Sequence, residues 1–211
     1  MKNIYLLRHG ESTFNTERRI QGSSDNPLTE HGRKQAHEAA GKLKEIPFNR
    51  IVSGSLRRQK DTAEIIGNEL MKDIPIEIDE RLNEVDYGLL EGKDEREIFC
   101  HIFPCSDREE SFRQIMKMGT KKLLEETGKQ EARGTVEKPE EAYCRFLNCL
   151  KDIAERDDRS ENILLVTSGA IASLFLQEYE WDIPSGKEYV PANCSAVQIF
   201  YSDHPVSFRV L

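Results

Sequence analysis

At 211 residues the chain suits one large domain with room for a substantial core. Hydrophobic residues make up 37% and charged residues 32%, and no apolar stretch reaches membrane-spanning length, which excludes a helical membrane protein. The formal net charge of −8 argues against general nucleic-acid binding, so any anion site must be a local positive island in an acidic protein.

Asn3-Ile4-Tyr5-Leu6-Leu7 is a short apolar run and predicts a buried strand that ends in the turn Arg8-His9-Gly10-Glu11-Ser12. This start is unlike a secretory signal, having a single lysine and too short an apolar stretch. Thr29 reads as an N-cap, with Ala36, Ala39, Ala40, Leu43 and Ile46 at helical spacing behind it. Ile51-Val52-Ser53 predicts a second strand, and Leu56 to Met71 a helix with Ala63, Ile65, Ile66 and Leu70 on its apolar side. Ile74 to Ile78 alternates like a strand, with Pro75 favouring its start or an edge.

From about 92 to 135 the chain is highly charged and poor in β-branched residues. It reads as a helical cap insertion with pieces at Asp107 to Met118 and Lys121 to Glu126. Its apolar residues Phe103, Phe112, Ile115, Met116, Leu123 and Leu124 read as packing, and a structureless stretch from Gly119 to Gly134 is the alternative. Glu140 to Arg156 is a helix, Ile163 to Val166 the most apolar strand, and Ala170 to Tyr179 a further helix. Ser195 to Tyr201 and Ser207 to Leu211 are strands. Strands alternating with helices predict an α/β fold, a mostly parallel sheet sandwiched between helices, in a single domain over 1–211. The five cysteines (Cys100, Cys105, Cys144, Cys149, Cys194) are odd in number and lack zinc-like spacing. They predict reduced thiols and a cytoplasmic protein.

In such a fold, ligands bind beyond the carboxyl ends of the strands. Arg8 and His9 follow the first strand, and Arg57 and Arg58 follow the second at a helix start, where the dipole favours an anion. Glu84 and Asp86 lie in the turn after the third, and Thr167-Ser168-Gly169 opens a helix after the fourth. A candidate nucleophile, guanidinium groups, a carboxylic acid and helix amino termini together make a phosphoryl-transfer site.

The order of blocks carries a family resemblance. Arg8-His9-Gly10-Glu11-Ser12-Thr13-Phe14-Asn15 is similar to the opening signature of the histidine phosphatase superfamily, in its phosphoglycerate-mutase-like branch. Asp25 to Ala36, Ser53 to Ala63, Leu82 to Gly88 with Glu91-Gly92, and Pro191 to Ser195 resemble the later blocks. The resemblance implies the three-layer fold of that family. It also implies that His9 attacks phosphorus, that Glu84 serves as acid and then base, and that Arg8 and Arg58 hold the phosphoryl oxygens. Asn15 and the backbone near Ser23 would complete the phosphate cradle, and Ser168 reads equally as a weak phosphate ligand or as a helix N-cap. Arg57 is weighed against Arg58 and Asp86 against Glu84, with the blocks favouring Arg58 and Glu84. Glu11 reads as a loop-holding residue.

One position departs from the pattern. Most members carry a second histidine where this chain has Ser168. Losing a charged donor there would cost roughly 2–4 kcal/mol of transition-state stabilisation, about a hundred- to a thousandfold in rate. The expectation is a phosphomonoesterase acting on a small phosphorylated metabolite without metal or organic cofactor, and with neither nucleic-acid nor membrane partners. A catalytically weak phospho-ligand-binding protein and a phosphoglycerate-type mutase are the alternatives. His101 and Lys121 in the insertion are candidate substrate contacts, though they read as solvated, as do Lys117 and Lys122; His31, His37 and His204 read as structural. Substrate identity and oligomeric state are not legible.

Overall fold

A computed structural model describes residues 2–70, 74–104, 110, 114, 117–156, 161–178, 191–202 and 205–211. Of the residues singled out above, Met71, Cys105, Phe112, Ile115, Met116, Tyr179, His204 and most of the piece from Asp107 to Met118 lie outside them.

The elements in chain order are β1 (Lys2–Arg8), α1 (Thr13–Glu17), α2 (Glu30–Leu43), β2 (Arg50–Ser53), α3 (Arg57–Glu69) and β3 (Ile76–Ile78). Then come α4 (Glu95–Ile102), α5 (Thr120–Gly128), α6 (Pro139–Glu155), β4 (Asn162–Thr167), α7 (Gly169–Glu178), β5 (Ala196–Tyr201) and β6 (Pro205–Val210). The described strands form one sheet in the order β3-β2-β4-β1-β5-β6. Four of them run parallel, and β5 and β6 add antiparallel pairs at one side. The α/β reading therefore holds, with an antiparallel end to the sheet.

The apolar runs of β1 and β4 become intelligible from the layering. Ile4 and Leu6 of β1 pack with Ile163 and Leu165 of β4 against α6 and α7. Their neighbours Tyr5, Leu7, Leu164 and Val166 face the other way, onto α2 and α3. A strand covered on both faces has no polar side, so it reads as continuous hydrophobicity. Phe146 and Phe175 meet at 5.2 Å between ring centroids in the first layer, and Tyr5 and Phe48 at 5.0 Å in the second.

Helix starts follow local chemistry. Thr29 Oγ1 accepts from the Gly32 N–H at 2.9 Å and caps α2 as expected. Leu56 has no capping side chain, so Gln59 reaches back and its Oε1 accepts from the Leu56 N–H at 3.2 Å. β3 is shorter than the expected strand. Pro75 has no N–H to donate, and the ladder to β2 begins only at Ile76. In the insertion, Thr120–Gly128 is helical and Leu124 is 1% exposed, which overturns the structureless alternative for 119–134. No helix among the described residues is long and apolar enough to cross a membrane.

Candidate active site

β1 and β4 are parallel neighbours, with Arg8 in register with Thr167, so the residues just beyond both strands meet at one end of the sheet. His9 leaves β1 there and is 1% exposed. Its loop is pinned from several sides. The His9 N–H donates to Thr167 O at 3.0 Å, and Asn193 Nδ2 donates to His9 O at 2.9 Å. The Gly10 N–H donates to Thr62 Oγ1 at 3.1 Å. Gly10 also lies so close to α2 that a Cβ there would stand 2.5 Å from Gly32 O, which only glycine avoids.

The imidazole has one possible tautomer in this setting. His9 Nδ1 lies 2.7 Å from Gly10 O, a carbonyl that can only accept, so Nδ1 carries the proton. Nε2 is left with its lone pair and accepts from Arg58 Nε–H at 3.2 Å. Burial, then the Arg58 charge, then the Arg8 charge push the imidazole well below its ordinary pKa, against a smaller opposing effect of the Gly10 bond. A neutral imidazole is a nucleophile for phosphorus once the Nε2 lone pair is released from Arg58.

Arg58 is fully buried at the start of α3. Its Nη1 donates to Ser24 O at 2.8 Å and its Nη2 to Gly22 O at 2.7 Å. Burial lowers its pKa to about 10, which still leaves it charged at neutral pH. Arg8 donates from Nη1 to Pro191 O at 2.8 Å, while its buried Nε has no hydrogen-bond partner. An orphaned charged donor is costly to bury, and an incoming anion would satisfy it. The Arg8 guanidinium lies over Gly169, where a Cβ would approach its Cζ to 3.0 Å.

Glu84 is 7% exposed. Its carboxylate accepts from the Val85, Ala170 and Ile171 N–H groups at 3.0, 2.8 and 2.8 Å. Two of these open α7, where the helix dipole favours negative charge. The carbonyls of Arg81, Asn83 and Glu84 in turn accept from Arg145 at 2.7, 2.9 and 2.9 Å, which fixes the backbone that carries the acid.

Arg8, His9, Asn15 and Glu84 share a cavity of about 270 Å³, whose far wall comes from the loop after α1 and from α4 and α5. Arg58 adjoins it through His9 Nε2. The other expected phosphate contacts lie apart from this group. Ser168 is fully buried, its Oγ accepts from Gln59 Nε2 at 3.0 Å, and it does not line the cavity. Ser23 is exposed, and its N–H donates to Glu91 at 2.9 Å. Arg57 is largely exposed beside Asp61, and Asp86 accepts from the Gly88 N–H at 2.7 Å. His101 and Lys121 are also outside the cavity lining. His101 Nδ1 lies 2.7 Å from Glu97 O, and Lys121 is held by Glu140 at 3.2 Å. Among the described residues no cluster of three or more His, Cys, Asp or Glu side chains is arranged to hold a metal ion.

Gln59, Asn193, Glu91, Arg145 and Glu95 escaped sequence reasoning as site residues. Gln59, Asn193 and Glu91 sit inside recognised blocks. The others had no periodic or spacing signal.

The family model described as histidine phosphatase superfamily (branch 1) matches residues 4–211. A probable phosphoglycerate mutase from Cronobacter sakazakii is 41% identical over 120 residues, 57% of this chain and 52% of the relative. An Escherichia coli counterpart is 42% identical over the same extent, so the chain spans about half the length of these relatives. Among solved structures, phosphoglycerate mutase from Bacillus anthracis superposes with a TM-score of 0.85 at 22% identity, covering 100% of this chain and 91% of that one. A mycobacterial glucosyl-3-phosphoglycerate phosphatase complexed with VO3 superposes at 0.74 and 23% identity, covering 100% and 97%. The chain belongs to branch 1 of the histidine phosphatase superfamily.

Proposed function

We propose that the protein is a phosphomonoesterase that works through a phosphohistidine at His9 Nε2. The observation that supports this most is the state of His9: Nδ1–H is committed to Gly10 O, and the Nε2 lone pair meets the buried Arg58, with the half-buried Arg8 lining the same cavity. Arg8 and Arg58 hold the non-bridging oxygens, with Asn15 beside them. The Arg58 Nε–H passes from Nε2 to a phosphoryl oxygen and uncovers the lone pair. Nε2 then bonds to phosphorus while the ester P–O bond breaks, and Glu84 gives its proton to the leaving oxygen. In the second half, Glu84 takes a proton from water, the water oxygen bonds to phosphorus, the P–N bond breaks, and inorganic phosphate leaves. Three backbone N–H groups stand ready to stabilise the Glu84 carboxylate formed after the first half. Charge spread over three oxygens in a loose transition state is what fixed cations stabilise best. No metal or organic cofactor enters these steps.

Ser168 supplies no charge, so the two arginines carry the electrostatic load. The alternative of a phospho-ligand-binding protein draws on that position, but a binder has no use for an aligned nucleophile and acid. The mutase reading has the names of the relatives in its favour. It shares the first half-reaction and differs only in returning the phosphoryl group to an alcohol instead of water.

The test is a steady-state assay on p-nitrophenyl phosphate and a panel of metabolite phosphates without added metal, beside His9→Ala. Release of inorganic phosphate that disappears in the variant supports the phosphatase. Interconversion of phosphoglycerates without phosphate release supports the mutase. Turnover unchanged in His9→Ala rules out both.

A further inference from the structure

The outer part of the cavity says what kind of alcohol it accepts. Beyond the phosphate end its walls are apolar at Ile20, Phe99 and Leu123, and the Thr120 and Ser173 hydroxyls there are 2.7 Å apart and bonded to each other. Two charged side chains also line it, Arg19 and Glu95. Arg19 already donates to Glu17 at 2.6 Å and to Gly92 O at 2.7 Å. Glu95, in the first turn of α4, is 24% exposed and pairs with Arg18 Nε at 2.6 Å. Both arginines of this stretch are therefore matched by carboxylates, and the acid that lines this outer part of the cavity is Glu95. A substrate carboxylate entering here would give up its water shell next to a like charge, and Arg19, the cation lining this outer part, is already engaged by Glu17 and Gly92 O.

We propose that Glu95 is a specificity-determining residue that makes this site select phosphomonoesters of uncharged, partly apolar alcohols and reject those whose alcohol part carries a carboxylate. The inference rests on the phosphatase reading for the reaction but not for the binding preference. It separates this chain from a site for phosphoglycerates, in which a second anion must be held.

Glycerol 3-phosphate and 3-phosphoglycerate make the matched test, because they differ by CH2OH against COO−. For the wild-type protein, kcat/KM should favour glycerol 3-phosphate by roughly 10- to 100-fold, as a partly solvated like-charge contact allows. Glu95→Gln keeps the shape and a hydrogen bond to Arg18, and should cut that ratio by about tenfold; Glu95→Lys should go further. The wild-type ratio should also shrink as salt is raised. Equal kcat/KM for the two esters in the wild type, or a ratio unchanged in Glu95→Gln, would overturn the proposal. If a variant does not fold, a salt-independent wild-type ratio would overturn it just as well. Calorimetric titration of both esters separates this outcome from failure of the phosphatase reading. Without turnover, weaker binding of 3-phosphoglycerate that Glu95→Gln relieves would uphold the specificity and refute the hydrolysis. Equal affinity, or no binding of either ester, would refute the specificity.

Discussion

Glu91→Ala should disable the active site without touching substrate. The Glu91 carboxylate accepts from the N–H groups of Gly22, Ser23, Ser24 and Tyr87 at 3.0, 2.9, 3.1 and 3.1 Å, and from Ser24 Oγ at 2.5 Å. The loop it gathers presents Gly22 O and Ser24 O, the two acceptors that orient Arg58. Arg58 then donates to His9. Hydrogen bonds to a charged group contribute about 1.5–3 kcal/mol each, but they are not additive, and water can reach part of this loop. A net loss of about 3 kcal/mol is the reasonable expectation, which for a chain of this size lowers Tm by about 6–12 °C. If the slackened Arg58 loses a similar share of transition-state stabilisation, kcat/KM on p-nitrophenyl phosphate falls about 100-fold. A second readout separates positioning from mere destabilisation. The Arg58 charge holds the His9 pKa down, so a displaced Arg58 lets it rise, and the acid limb of kcat/KM moves to higher pH. Wild-type kcat/KM and an unmoved acid limb in folded Glu91→Ala would refute this chain of contacts.

Three further outcomes follow from the same geometry. Because His9 is depressed in the folded protein, kcat/KM should persist as pH falls through about 6.5, where an ordinary imidazole protonates. The unfolded chain does take up a proton there, so the stability owed to neutral His9 is full above about pH 6.5. It declines below by up to about 1.4 kcal/mol per pH unit, until the folded imidazole titrates; an acid titration of urea midpoints beside His9→Asn checks it, and identical pH slopes would contradict it. Two glycines of α2 should respond oppositely to alanine. A Cβ at Gly32 would meet Glu11 O at 2.0 Å and push the His9 loop, lowering both Tm and kcat/KM, whereas Gly41 has open space and should gain about 1 kcal/mol of helix stability. Thermal melts of both variants decide it, and a stable, active Gly32→Ala would sink the packing reading. Ser168→His should lose stability, by about 1–3 kcal/mol from overpacking, since Ser168 is fully buried against Gln59. A melt and a rate measurement suffice, and an unperturbed, faster enzyme would mean that the pocket accepts the ring.

How much could be read beforehand depended on how local the signal was. β1 with Arg8 and His9 was legible because a buried strand running into a polar turn is a contiguous pattern. The start of α2 was legible because Thr29 stands next to the helix it caps. Glu84 was preferred over Asp86 on the strength of its block, and the structure places Glu84 on the cavity and Asp86 in a turn beside Gly88. Glu91 was invisible as a clamp because Gly22, Ser23 and Ser24 lie 67 to 69 residues away and it holds them mainly through backbone N–H groups, which leaves no residue-type signature. Ser168 read equally as a weak phosphate ligand or a helix N-cap from its place after β4, and the contact its hydroxyl makes with Gln59, 109 residues away, left no trace in the local sequence. The five-residue helix α1 is too short for periodicity, and α4 was hidden in the charge of the insertion. Alternation alone did not show that β5 and β6 run antiparallel.

The most direct measurement is to trap the covalent intermediate. The wild-type protein is mixed with excess p-nitrophenyl phosphate, quenched in alkali, digested and analysed by mass spectrometry. A single phosphate on the peptide containing His9, stable in base, lost in acid and missing from His9→Ala, is the predicted result. Turnover that continues with no phosphate on His9 at any quench time would contradict a phosphohistidine mechanism.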